Sequence, residues 1–306
     1  MDSIASIRQT PRRALIEGAI ALLIALALLI FPPPAPARQG GAADPVRAPK
    51  IRALPRRIEL PTYRPGPMPF RNGERLTYEA SWLGIPAAQA QIELRRAPRN
   101  RTIWVAEATI STDKAVDVFY KMRDYLKERF DDGSLQPREM IIRQRERHRH
   151  DDYQVTFDHA QELVTIRKTG PRGILYKRFR ATNPWGMMSG AALALSQPLK
   201  VGDKLVLDLF SATNRYVLSF TVAGRERLQT VLGPVDALRI EPGVVYMSDS
   251  KMRGEATATT IWISDDARKL PLRIESATFF GTVRIELIKV ENPPAAAAGK
   301  SDGSAR

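Results

Sequence analysis

The stretch KLVLDLFSATNRYVLSFTV, from Lys204 to Val222, decides the fold class. Leu205, Leu207 and Leu209 fall on one face of an extended chain, and Tyr216, Leu218, Phe220 and Val222 fall together in the second run. Period 2 is the pleat of a half-buried strand, and Thr213-Asn214 between the runs is a turn signal, so the pair reads as an antiparallel hairpin. The same reading continues C-terminally. It gives Leu228 to Leu232, a Gly233-Pro234 turn and Val235 to Glu241, then Thr257 to Ile263, an Asp265-Asp266 turn, Leu272 to Phe279, and Val283 to Val290 after Gly281. Sequential strands joined by short turns pair antiparallel.

Working N-terminally, the candidate strands are Leu76 to Trp82, Ala87 to Arg95, Ile103 to Ser111, Lys127 to Phe130, Met140 to Arg147, Tyr153 to Phe157, Leu163 to Lys168 and Ile174 to Phe179. Two segments resist this reading: Asp113 to Tyr125 is mixed, and Trp185 to Ser196 is rich in Ala, Leu and Met and ends before Pro198, which predicts a helix. The expected fold is all-β: a curved antiparallel sheet, a sandwich or a partly open barrel, with one or two short helices, over about residues 70–291.

The flanks read differently. Arg8, Arg12 and Arg13 precede an apolar run whose uninterrupted part, Gly18 to Phe31, spans 14 residues. As a helix that run would reach only about 21 Å, short of a bilayer core, so residues 1–37 read as a cleaved export signal rather than a permanent anchor. Ala35-x-Ala37 offers the small-x-small cleavage pattern, which predicts a periplasmic protein cut after Ala37, with an uncleaved inner-membrane anchor as the alternative. The pair Arg12-Arg13 also fits a twin-arginine signal, although an ordinary basic leader explains it as well. Residues 38–69 are rich in Pro, Ala and Arg and predict an extended spacer, and 292–306 predict a disordered tail. The absence of cysteine rules out disulfides and a lipid-anchored cysteine.

The net charge of +14 points to anionic surfaces, a membrane among them, while export disfavours nucleic acid. Arg143, Arg145, Arg147 and Arg149 would all share one face if a single strand ran through them, forming a comb for anionic groups. A second candidate is an apolar groove under the helix, built from Met187, Met188, Leu205, Leu207, Leu218 and Phe220. Catalytic signals are weak. His148, His150 and His159 are too few for a catalytic metal set, and no cofactor or metal is expected. The stretch Gly186-Met187-Met188-Ser189-Gly190 has one residue too many for a nucleophile elbow, and Asp265-Asp266 reads as a turn.

Several blocks together resemble a known family. Phe70, Gly73-Glu74, Leu76 and Tyr78 lead to Trp82-Leu83-Gly84-Ile85, Ala87-Ala88 and Ala90. Later come Met188-Ser189 to Leu195 before Val201-Gly202-Asp203, and Gly224-Arg225-Glu226 before Val231-Leu232-Gly233. The last block is Ile261-Trp262-Ile263-Ser264-Asp265-Asp266 before Leu270-Pro271. From about Phe70 to Val290 these resemble the bacterial domain of unknown function 3108, with Ala88 where that family often has glycine. The resemblance implies an exported β protein and brings no catalytic residue. The Trp, acidic-turn, Leu-Pro hairpin is also similar to one in half-open barrels of periplasmic lipoprotein and lipid carriers, an analogy of fold alone. The function expected is that of a non-enzymatic periplasmic protein binding a lipid-like or glycan ligand or an envelope partner. The alternatives are a hydrolase of an envelope polymer and a structural module tethered by an uncleaved N-terminus.

Overall fold

The computed structural model describes residues 51–52, 60–147, 149–212, 214–247, 252–255, 259–278 and 281–291. The export signal, its cleavage site, most of the spacer, the tail and His148 lie outside the described residues. Alternating burial drives the first half of the chain into β2 (Glu74–Trp82), β3 (Ile85–Arg96), β4 (Ile103–Thr112) and, after the one-turn helix α1 (Lys114–Asp117), β5 (Arg123–Asp131). Then follow β6 (Pro137–Glu146), β7 (Arg149–Asp158), β8 (Leu163–Gly170) and β9 (Gly173–Arg180). Two short strands, β1 (Ile51–Arg52) and β10 (Pro184–Trp185), pair parallel to β9 and to β11 (Lys204–Ser211). Between β10 and β11 lies α2 (Met187–Ser196).

The second half continues as β12 (Asn214–Thr230), β13 (Gly233–Met247), β14 (Met252–Glu255), β15 (Thr259–Ser264), β16 (Pro271–Thr278) and β17 (Gly281–Glu291). β17 pairs with β2, so both halves of the chain form one continuous, strongly curved sheet. The runs read separately as Arg215 to Val222 and Leu228 to Leu232 are one 17-residue strand. A bulge between Val222 and Gly224 absorbs the irregularity, and pairing with β13 continues from Arg215↔Met247 to Thr230↔Gly233. Gly233, at φ +102°, makes the turn that no side-chain-bearing residue adopts easily.

No ladder joins β9 to β11 or β12 among the described residues. A buried ion pair brings these ends together instead. Arg215 donates from Nε to Asp208 Oδ1 at 2.7 Å and from Nη2 to Asp208 Oδ2 at 2.6 Å, while its Nη1 donates to the Arg180 carbonyl at 2.8 Å. Both side chains are almost fully buried, and burial pushes the Asp208 carboxyl up against the opposing pull of Arg215. Phe210 packs edge-on against Phe157 and Phe179, with centroids 6.2 and 5.5 Å apart, so the seam is apolar around its single charge pair.

Two sequence expectations need correction here. The apolar groove was expected under the helix, but α2 is itself packed on the inner side of the curved sheet and the groove runs beside it. Eight of its ten residues are buried, including Leu193 at 0% exposure. A helix with no polar stripe has no face to give to solvent, and its small residues admit the wall closely. A Cβ on Gly190 would come within 3.2 Å of Leu209 Cδ1. The second correction concerns residues 60–69, expected as part of an extended spacer. They pack on the fold: the Tyr63 hydroxyl accepts the Val206 N–H at 2.8 Å, the Gly66 N–H donates to Ser196 Oγ at 3.1 Å, and Tyr63 and Met68 lie against the core.

Candidate functional site

The site begins with what holds α2 in place. The burial pattern of β5 turns Asp124, Leu126, Glu128 and Phe130 to the interior. Glu128 is completely buried at the N-terminus of α2, where its two carboxylate oxygens accept the Met188 N–H at 2.8 Å and the Ser189 N–H at 3.1 Å. Donors left free by the first helical turn and the positive end of the helix dipole both favour a carboxylate there. Burial pushes the Glu128 carboxyl up, opposed by the Ser189 side chain and the backbone N–H groups of Met187, Met188 and Ser189. Gly186 permits the approach, since a Cβ there would lie 2.3 Å from Glu128 Oε1. Ser189, fully buried, accepts the Gly186 N–H on its Oγ at 3.1 Å, so it is part of a helix start.

Beside α2 runs a groove with about 680 Å³ of unfilled space, counting the part open to solvent. It lies between the helix and strands β11, β12, β13, β15 and β16. All fifteen lining residues are apolar or glycine, among them Ala191, Leu195, Leu209, Ile240, Ile261 and Ile263. Of the six groove residues expected from sequence, Met187, Leu205, Leu218 and Phe220 line it. Leu207 instead packs beneath α2, its Cδ1 3.8 Å from where a Cβ on Gly190 would stand. Met188 lies at the Glu128 cap.

The interior of the β5–β8 wall is different. The ladders pair Tyr125 with Arg143 and Gln144 with Asp151, which puts Asp124, Gln144 and Asp151 in one inward row. Burial pushes the Asp124 carboxyl up to about 7; Glu146 adds to this, while the Arg145 N–H, Arg149 and Arg145 pull the other way. Asp151 pairs with Lys168 at 2.7 Å, and the Tyr120 hydroxyl donates to Glu146 Oε2 at 2.6 Å. Gln144 Oε1 is buried with no partner. The sequence reading missed Glu128 and this row. The available signal was parity: Asp124 and Glu128 alternate with Leu126 and Phe130 on one face.

The arginine comb is corrected. β6 ends at Glu146 and β7 begins at Arg149, with the strand reversing between them, so Arg143 and Arg145 sit on one strand and Arg149 on the next. Their guanidinium groups are also engaged. Arg145 pairs with Asp152 at 2.6 Å, Arg149 lies 3.8 Å from Glu146, Arg147 donates to the Phe119 carbonyl at 3.0 Å, and Arg143 stacks 5.6 Å over Tyr125. His159 contacts the Pro137 carbonyl at 2.7 Å, and no metal-ligating cluster occurs among the described residues. Asp266 caps its own turn, accepting the N–H groups of Arg268 and Lys269 at 2.9 and 3.0 Å, and Asp265 pairs with Arg225 at 2.8 Å.

Fold and site together define a class: a single-sheet, barrel-like β protein with a carboxylate-capped helix inside it and an apolar groove beside that helix. The family model of DUF3108, a protein of unknown function, matches residues 77–288, and the chain belongs to that family. No curated protein matches the chain. Among solved structures, it is similar to a β-barrel-like protein of the domain of unknown function DUF1849 from Brucella abortus. That match has 7% identity and a TM-score of 0.50, covering 72% of this chain and 98% of that one. Fainter likenesses are to a candidate exported protein with a YmcC-like fold from Bacteroides fragilis and a candidate lipoprotein from Parabacteroides distasonis. Each is 9% identical, with TM-scores of 0.33 and 0.34; they cover 75% and 74% of this chain, and 99% and 97% of their own.

Proposed function

We propose that this protein is a non-enzymatic component of the bacterial envelope that holds an apolar chain of the acyl type in the groove beside α2. The observation carrying this reading is the groove's lining, fifteen residues without one polar side chain. Water gains nothing in such a space, whereas each Å² of apolar ligand surface moved into it is worth about 25 cal/mol. A glycan fits poorly, because its hydroxyls would be buried without partners. Location in the envelope is supported by the short apolar run ending at Phe31 and the Ala35-x-Ala37 pattern after it.

The test is occupancy and its loss on filling. Native mass spectrometry of the protein purified from the envelope should show a retained lipid, and a fluorescent fatty acid should bind the emptied protein. Ala191 lines the groove and is half buried, so Ala191→Leu adds bulk to the space without burying a charge. We expect that variant to bind the probe at least about tenfold more weakly with an unchanged unfolding midpoint. Wild type that carries no lipid and binds no probe would refute the reading.

A further inference from the structure

Consecutive hairpins of an antiparallel sheet put alternate turns at the same end. The β2–β3, β6–β7 and β8–β9 turns and the α1 segment between β4 and β5 therefore share one end of the barrel. Seven of the ten large hydrophobic residues exposed among the described residues lie toward that end: Leu83 on the first turn and Ile85 at the start of β3, Val118 and Phe119 after α1, and Ile174 to Tyr176 in the first half of β9. Val231 and Leu232 sit in the β12–β13 turn at the opposite end.

The first turn, the α1 segment and the β6–β7 turn are tied to their neighbours. The Leu83 N–H donates to the Thr282 carbonyl at 3.2 Å, the Asp113 N–H donates to the Ala87 carbonyl at 2.9 Å, and Arg147 reaches the Phe119 carbonyl at 3.0 Å. Leu83 is 61% exposed and has φ +51°, a conformation that favours glycine or asparagine. The side chain leans over Gly281, whose missing Cβ leaves it room, and more than half of it stays exposed.

The charge at this end is basic. Lys114, Lys121, Arg147 and Arg172 are exposed on the same segments, and no ion pair holds any of the four among the described residues. Of the acidic residues nearby, Asp117 is tied to Arg123 at 2.5 Å, which, with Thr112, brings its carboxyl down to about 2. Apolar side chains interleaved with exposed cations that no carboxylate pairs complement an anionic lipid interface, where the apolar groups enter the acyl boundary and the cations stay among head groups. We propose that this end of the barrel docks on the surface of an anionic membrane. This goes beyond the groove reading and stands without it.

Binding of the full chain to vesicles does not decide the matter, because the apolar run at Gly18 to Phe31 can insert by itself. The absence of cysteine allows a position-specific test. A polarity-sensitive fluorophore is attached to full-length Leu83→Cys, Phe119→Cys or Val231→Cys protein, and vesicles of phosphatidylglycerol with phosphatidylcholine are added, or phosphatidylcholine alone. The labels at positions 83 and 119 should shift to shorter wavelength and be quenched by lipid-borne spin labels with the anionic vesicles, and the label at 231 should not. Adding Val118→Ser with Phe119→Ser should reduce the response at 83. Labels at 83 and 231 responding alike, or neither responding, would overturn the proposal. An equal response with phosphatidylcholine alone would overturn its electrostatic half.

Discussion

Asp124 should make the protein less stable as pH rises, and Asp124→Asn should remove that dependence. The side chain faces the interior of β5, accepts the Arg145 N–H at 2.7 Å, and stands near Glu146. Burial is the largest cause pushing its carboxyl from the ordinary 3.8 up to about 7. A folded-state value above the unfolded one means that the folded protein holds the proton more tightly. The stabilisation is therefore fully present below the ordinary carboxyl range and is lost as pH rises through about 7. Three units at about 1.36 kcal/mol each give a loss on the order of 4 kcal/mol across that window.

Asparagine keeps an oxygen for the Arg145 N–H and carries no charge. Urea midpoints of wild type and Asp124→Asn, measured between about pH 4 and about pH 8, give a difference in which other titrating groups largely cancel. The two proteins should be nearly equal at the acid end, and the variant should be more stable by a few kcal/mol at the alkaline end. A difference that stays flat with pH would refute the reasoning.

Two further perturbations test the frame around the groove. Arg215→Met should cost about 3–5 kcal/mol, because it leaves the Asp208 carboxylate buried and unpaired; adding Asp208→Leu should recover most of the loss in urea unfolding. Glu128→Ala should cost about 2–4 kcal/mol, since it orphans two buried N–H groups of α2; Glu128→Gln, which keeps one acceptor oxygen, should cost less by the same assay.

The alternation of Leu205, Leu207 and Leu209 against Tyr216, Leu218 and Phe220 made the central hairpin legible, because a strand with one buried face must show period 2. The ladder pairs Leu207 with Leu218 and Leu205 with Phe220. A reversal between Met140 to Arg147 and Tyr153 to Phe157 was legible, but its place directly after Glu146 was not. Glu146, Arg147, His148 and Arg149 include no glycine, proline or asparagine, so the charge run looked continuous. What forces the turn there is tertiary: Met140 and Ile142 must face the same interior as Tyr153 and Val155. Glu128 was hidden for a related reason. In Lys127-Glu128-Arg129 it reads as a solvated charge, and only the distant N-terminus of α2, sixty residues along the chain, makes its burial tolerable.

The interior is thus divided by chemistry. Beside α2 it is apolar and holds unfilled space; along β5–β8 it carries Asp124, Gln144 and Asp151 in a row with Glu146 and Lys168 close by. Ionisable groups and an apolar groove can share one barrel only if the charges are kept from the groove. Here Lys168 pairs with Asp151, Tyr120 bonds Glu146, and Glu128 spends both oxygens on the first turn of α2. The helix is therefore more than filler. Its N-terminus satisfies the buried Glu128 carboxylate, while its Ala191, Ala194 and Leu195 form one wall of the groove. Cap and groove are built on the same ten residues, so loosening the first should blunt the second, whereas neutralising Asp124, on the far wall, should leave the groove as it was.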